Sequence, residues 1–384
     1  MKCNNLNPIK IAVVYLGRKG GGALYSYEMA KGLIENGCEV YLFISKYAEN
    51  LKHWKSLSYK NIEIVKTYKN KFSFVINSLF FRFFKYRLLK KKYKNVSIDA
   101  CYFPMGHPWD PYISNALNNP QKIITVHDPI EHSSNNSNVQ TLNKAVSILN
   151  KGIFNKKPDD YIILSECFFD YLVSKKSIEH NRIHIIPHCV FDFYETVRNV
   201  GYYEYDLNKT NFLFFGRIDK YKGLDVLQVA FEKFNQIHPL STLTIVGSGD
   251  FSNYCYAYKH MPNVRIINKW IPDEEVASFF CPNKNVILVL PYIDATQSGV
   301  IPIAMSAGIP IIASNTGGLS EQIRNQYTGY LVEPNNPVAL FETMEMVSKI
   351  DNSFIIENAK VYIKSLSGYE LSKKIIDIIN HHKQ

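Results

Sequence analysis

The chain has 384 residues, too many for one ordinary core, so two domains are expected. With 46% hydrophobic and 14% aromatic residues it has ample material for packed cores, which excludes a wholly disordered protein. Its formal charge of +10 calls for an anionic partner: nucleic acid, a phospholipid surface or a phosphorylated substrate.

The N-terminus carries no signal-peptide pattern and enters an apolar strand, Ile9 to Leu16, almost at once. No stretch reaches the roughly 18 apolar residues of a spanning helix, so a cytoplasmic protein is expected. A glycine-rich turn follows at residues 17–22. Leu24, Tyr27, Ala30 and Ile34 then recur at helical spacing until Asn36-Gly37 stops the helix, and Glu39–Ser45 is the next strand. This opening is Rossmann-like. Its glycines do not spell Gly-x-Gly-x-x-Gly, and no acidic residue closes the second strand, so dinucleotide binding is poorly supported. Gly21 and Gly22 fit two readings, a turn that lets backbone approach a ligand and a turn that is purely structural.

Between Ile64 and Ile98 the composition changes to ten Lys/Arg with no Asp or Glu, interleaved with aromatics. Phe72, Val75, Ile76, Leu79, Phe80 and Phe83 form an apolar set at helical spacing, and Arg82, Lys85, Arg87 and Lys90 to Lys92 follow or interleave with it. A basic, aromatic-rich amphipathic helix fits an anionic membrane surface, here through residues 69–94. The alternative is a buried aromatic helix with a solvated basic end. Nucleic acid would also use such residues, but no DNA- or RNA-binding motif accompanies them, and no nucleic-acid partner is expected.

Further strands are expected at Ala100–Phe103, Lys122–Val126 (ending in His127-Asp128-Pro129), Tyr161–Leu164 and Arg182–Ile186. Residues 1–190 thus form one parallel α/β domain. Residues 191–210 are polar and aromatic without period and read as a linker. A second alternation, over residues 211–366, has strands at Phe212–Phe215, Leu243–Val246, Val264–Ile267, Val286–Leu290 and Pro310–Ala313. Helical stretches at Leu224–Phe234 and Asp273–Phe280 separate some of them. Residues 367–384 form an amphipathic helix fit to pack on a neighbouring domain, the N-terminal one being the expected partner. Seven dispersed cysteines without a Cys-x-x-Cys pair argue against a disulfide framework or a structural zinc site.

Two stretches carry chemistry. Gly216-Arg217-x4-Lys222-Gly223 directly follows the first strand of the second half, placing two cations on one loop, where they suit a diphosphate or plain solvated surface. Pro291 to Glu321 joins two buried strands through Asp294, Thr296, Gln297, Ser298 and Gly299, a helix, and Gly317-Gly318. Small residues at two strand ends and a helix start suit an anion site, and they suit as well an ordinary βαβ unit whose glycines serve only its turns.

These motifs, with VHDP, IIPH, IVGSG and GGLSEQI…TGYLVEP, resemble the retaining glycosyltransferases of the group-1 (family 4) class over nearly the whole chain. The resemblance implies the GT-B fold, two Rossmann-like domains with parallel sheets facing across a cleft. It also implies a nucleotide-sugar donor held by the C-terminal domain and a saccharide or lipid-linked acceptor held by the N-terminal one. Carried over by residue, Arg217 and Lys222 would bind and stabilise the leaving phosphate, with Gly21, Gly22, Gly216, Ser298 and Gly299 near the donor. His127 would face the donor sugar, unless it only caps its strand end through a ring hydrogen bond. Glu321 would contact the sugar or orient the preceding loop. Asp294, Thr296 and Gln297 would complete the donor site.

The family's Glu-x7-Glu is missing: Ala295 and Ile303 occupy those positions, with Asp294 one residue from the first. No Asp-x-Asp occurs, so no metal is expected, and no cofactor beyond the co-substrate. The resemblance implies a metal-independent, retaining hexosyl- or glycosyltransferase of polysaccharide or glycolipid biosynthesis, and residues 69–94 would place this cytoplasmic protein peripherally on the inner membrane face. Two alternatives remain, an epimerase-type enzyme on the same fold and a catalytically degenerate sugar-nucleotide-binding subunit.

Overall fold

Strands buried on both faces have near-continuous apolar sequences, and this chain builds two parallel sheets from such runs. A computed structural model of the protein describes residues 8–57, 60–130, 157–192, 203–206, 208–252, 258–261, 263–282 and 285–383. Much of the expected 191–210 linker therefore lies outside the described residues. The chain divides into two compact units. The first comprises residues 1–164, 168–189 and 367–384, and the second comprises residues 165–167 and 190–366.

In the first unit seven strands lie in the order β3-β2-β1-β4-β5-β6-β7. They are β1 (Lys10–Tyr15), β2 (Glu39–Ser45), β3 (Ile62–Val65), β4 (Ala100–Phe103), β5 (Gln121–Val126), β6 (Asp160–Ile163) and β7 (Ile183–Ile185). Helices α1 (Gly21–Glu35), α2 (Leu51–Ser56), α3 (Lys71–Phe80), α4 (Tyr86–Lys92) and α5 (Asp110–Ala116) connect or flank them. The single helix expected over the basic-aromatic segment is in fact α3 and α4 joined by a π-helical turn, Phe81–Lys85.

The last helix, Gly368–Lys383, packs on α1 and buries Leu371, Ile375, Ile378 and Ile379. Each such side chain contributes about 1.5–3 kcal/mol on full burial. The two helices touch through glycine, where a Cβ on Gly32 would lie 2.1 Å from the Gly368 carbonyl oxygen. Asn36 ends α1 and donates from its side chain to Tyr369 O at 2.8 Å, fixing the start of the final helix.

In the second unit six strands lie in the order β10-β9-β8-β11-β12-β13. They are β8 (Asn211–Phe215), β9 (Thr242–Gly247), β10 (Val264–Asn268), β11 (Val286–Leu290), β12 (Ile311–Ser314) and β13 (Tyr330–Val332). The helix at Asp273 keeps α geometry only to Val276, and a 3₁₀ turn completes it. In each unit the order reverses beside the first strand, which opens a crevice at the carboxyl ends where ligands bind in such sheets.

Candidate active site

At the carboxyl end of the second unit's sheet, the loops after β8, β9, β11 and β12 are tied backbone to backbone. Gly216 N donates to Val246 O (3.0 Å), Ile293 N to Tyr221 O (2.8 Å) and Gly318 N to Ala295 O (3.3 Å). Gly223 has φ +65°, and a Cβ there would lie 1.9 Å from the Pro291 carbonyl oxygen. A side chain is excluded by both backbone conformation and space. Gly317 approaches the Ala295 carbonyl as closely, with a Cβ distance of 1.8 Å.

This interlocking holds two cations differently. Lys222 closes the 3₁₀ turn Lys220–Lys222, which Asp219 caps by accepting from Lys220 N. The residue is only 9% exposed, with Nζ 3.5 Å from the centroid of the Tyr292 ring and 4.8 Å from that of Tyr221. Aromatic faces attract an ammonium. Arg217 is exposed, and no described residue hydrogen-bonds or ion-pairs with its guanidinium. One positive charge is held in place and the other is open to solvent.

The helix Val300–Ala307 starts next to the Lys222 cage, on the far side of Tyr292. Its entry is clamped by Gln322: the Ser298 amide donates to Gln322 Oε1 (2.8 Å), and Gln322 Nε2 donates to Ser298 O (3.1 Å). The Ser298 amide is thus engaged inside the protein, while its hydroxyl lies 3.4 Å from the buried Tyr292 hydroxyl. Burial pushes the Tyr292 phenol up, so it stays protonated. Thr296 and Ser298 are buried, Gln297 and Gly299 half-buried, and Asp294 exposed. Ala295 and Ile303, where the resemblance expects carboxylates, are both buried apolar residues.

Glu321 is held by residues 165–167, which belong to this unit. Ser165 Oγ and the Cys167 amide donate to Oε1 (2.7 and 2.8 Å), and the Glu166 amide donates to Oε2 (2.7 Å). Both carboxylate oxygens are occupied, an arrangement that fixes a loop.

In the first unit, Gly21 and Gly22 form the first turn of α1, and the positive φ (+93°) falls on Gly20. His127, directly after β5, donates from Nε2 to the Pro104 carbonyl (2.8 Å), so its ring does cap a strand end. The edge of Tyr25 meets the His127 ring at 4.9 Å, and Tyr25 also lies 5.4 Å from His188. The Tyr25 hydroxyl joins those of Tyr102 (3.1 Å) and Thr125 (3.5 Å). Burial lowers the pKa of His127, and it pushes His188 down to about 4, so both are neutral near pH 7. This is an uncharged, largely buried cluster of imidazole and hydroxyl groups.

Sequence reasoning missed Tyr292 and Tyr25, and it gave no role to His188 and Gln322, although IIPH and GGLSEQI contain them. Gln322 follows the glutamate of the GGLSEQ stretch and Tyr292 directly follows a strand's proline, so adjacency was the available signal. Among the described residues, no three His, Cys, Asp or Glu side chains gather as a metal would require.

Comparison with known proteins agrees in both halves. The family described as Glycosyl transferases group 1 matches residues 209–349, and that described as Glycosyltransferase Family 4 matches residues 19–191. An uncharacterized 41.2 kDa protein in the cps region of Klebsiella pneumoniae is 24% identical over 298 residues, 76% of this chain and 71% of its own length. Among solved structures, a glycosyltransferase from Rickettsia africae aligns over 98% of this chain and 99% of its own, with TM-score 0.68 and 19% identity. Anabaena HepE, solved with UDP and glucose, aligns over 97% and 100%, with TM-score 0.66 and 14% identity.

Proposed function

Because the chain belongs to the group 1 glycosyltransferases and has their GT-B fold, we propose that it moves a glycosyl unit from a nucleotide-sugar donor to a saccharide or lipid-linked acceptor. In this reading the reaction proceeds with retention and without a metal, in cell-surface polysaccharide or glycolipid synthesis, on the cytoplasmic side of the membrane. The observation that carries it is the pair on the loop after β8: exposed Arg217 and ring-caged Lys222. The Arg fork and the Lys charge hold the donor diphosphate and stabilise the phosphate as it leaves.

Gly216 lets the loop pass close to the phosphates. The Gly299 amide and the Ser298 hydroxyl reach them from the helix start. Asp294, Thr296 and Gln297 serve the sugar, Asp294 as the exposed carboxylate. In the first unit, Gly21 and Gly22 admit the ligand, and neutral His127 positions the reacting sugar or acceptor. Glu321 acts at one remove by holding its loop. In the transfer, the acceptor oxygen bonds to the anomeric carbon on the face where the carbon–phosphate oxygen bond breaks. The acceptor proton passes to the departing phosphate oxygen.

HepE has been solved with UDP and with UDP-glucose, which makes a UDP-sugar the first donor to try. The buried Ala295 and Ile303 favour one rival, a binding subunit without turnover. Incubation with UDP-, GDP-, ADP- and dTDP-sugars, with and without acceptor, separates the readings. Nucleoside diphosphate release that requires acceptor supports transfer. Conversion of donor sugar without acceptor assigns an epimerase, and donor binding with no turnover across the acceptor panel assigns the subunit.

A further inference from the structure

Independently of the transfer reaction, we infer that the outer face of α3 and α4 is a docking surface for an anionic lipid bilayer. The inward face of this segment is fully used. Phe74, Phe81 and Leu89 are buried, and the rings of Phe74 and Phe81 stack on Trp109 at 6.2 and 4.8 Å. Trp109 Nε1 donates to Ser78 Oγ at 2.9 Å, and Asn70 caps α3 through a reciprocal pair with Ser73. The helix cannot turn its other side inward without breaking this packing.

That other side is an apolar stripe at helical spacing. Phe72, Phe80, Phe84 and Leu88 are 76, 57, 60 and 63% exposed, and Val75, Ile76, Leu79 and Phe83 lie exposed with them. Soluble domains rarely leave so continuous a stripe in water. Arg87 lies four residues after Phe83 and Lys91 three after Leu88, so both share the stripe's face, and Lys90 and Lys94 flank it. Among the described residues no carboxylate pairs with these four. The nearby Glu63 is already held by Lys85 and Lys92, at 2.6 and 2.7 Å.

The charge pattern chooses the occupant. A second copy of the chain would present the same stripe, and with no Asp or Glu in residues 64–98 it would leave the cations unmatched. Nucleic acid would engage cations and rings but leave Val75, Ile76, Leu79 and Leu88 in water. A bilayer takes both sets, the apolar side chains entering the acyl boundary and the Lys and Arg stems extending to lipid phosphates.

The test is flotation of the full chain with phosphatidylcholine vesicles and with mixed phosphatidylcholine–phosphatidylglycerol vesicles. The inference predicts binding to the mixed vesicles that weakens as salt rises, and at least about tenfold weaker binding to the neutral ones. Two variants should each reduce binding at least about tenfold with unchanged thermal unfolding. One combines Phe72→Ser, Phe80→Ser, Phe84→Ser and Leu88→Ser, and the other Arg87→Gln, Lys90→Gln and Lys91→Gln. The inference is overturned if vesicles of both kinds bind alike, if neither binds, or if either variant binds as the wild type does. A dimer abolished by the apolar variant, or retention on single-stranded RNA in place of vesicles, would reassign the face. Vesicle binding needs no donor, so its outcome is separable from that of the transfer assay.

Discussion

The two units wind their sheets in the same sense, with a central first strand flanked by the second and fourth, yet line their carboxyl ends with different chemistry. In the second unit four loops interlock through backbone contacts, and the loop after β8 carries both an exposed guanidinium and a caged ammonium. In the first, the ends of β4 and β5 and the start of α1 gather tyrosine and threonine hydroxyls around imidazoles that burial keeps neutral. Winding therefore decides where a ligand sits, and the loops decide which ligand.

The comparison breaks most readily at Gly223. Replacing it with Ala forces a Cβ to within 1.9 Å of the Pro291 carbonyl at positive φ. The expected loss is about 3 kcal/mol or more from the second unit alone. Denaturant unfolding followed with unit-specific probes should show the second unit's transition moving while the first stays. An unshifted transition would mean that the loops are not interlocked as described.

The first unit's neutrality can be sharpened by pH. Burial foremost pushes His188 from 6.5 down to about 4. Above pH 6.5 both folded and unfolded imidazoles are neutral, and the contribution is fully present. As pH falls toward 4 the unfolded chain takes up the proton first, so stability falls, by about 3 kcal/mol for this residue. His107, also buried and pushed down to about 3, adds a slope of the same sign. A His188→Gln variant should therefore lose part of the acid sensitivity of unfolding. An unchanged pH profile would contradict a buried neutral imidazole.

The smallest expected effect is at Tyr292. Leucine there removes the ring under Lys222 and should weaken nucleotide binding by about 1–2 kcal/mol, roughly tenfold. Phenylalanine keeps the ring and should retain most of the affinity. Equal losses in both variants would assign the effect to the hydroxyl near Ser298.

Much of the fold was legible because parallel strands buried on both faces leave continuous apolar runs, as in Val286–Leu290. The missed strands are ones that do not. β3 is a half-exposed edge strand containing Glu63, and β13 has three residues. The π turn was hidden because apolar or aromatic residues occupy nearly every step of Leu79–Phe84, so several helical registers fit equally well. Within the site, Arg217 and Lys222 stood out because they share one loop directly after a strand. Tyr292 and Gln322 did not, because their roles depend on partners 70 and 24 residues away: the Lys222 ammonium and the Ser298 backbone. Glu321 was found by its motif, but its three donors at residues 165–167 lie more than 150 positions earlier.

The central claim is that Arg217 and Lys222 hold the donor diphosphate. Calorimetric titration of the wild type and of an Arg217→Ala/Lys222→Ala variant with UDP, and with the other nucleoside diphosphates, tests it most directly. The account predicts that one nucleotide binds the wild type and binds the variant at least about a hundredfold more weakly, since each charge-assisted contact is worth about 1.5–3 kcal/mol. Equal affinity in the two proteins would contradict it.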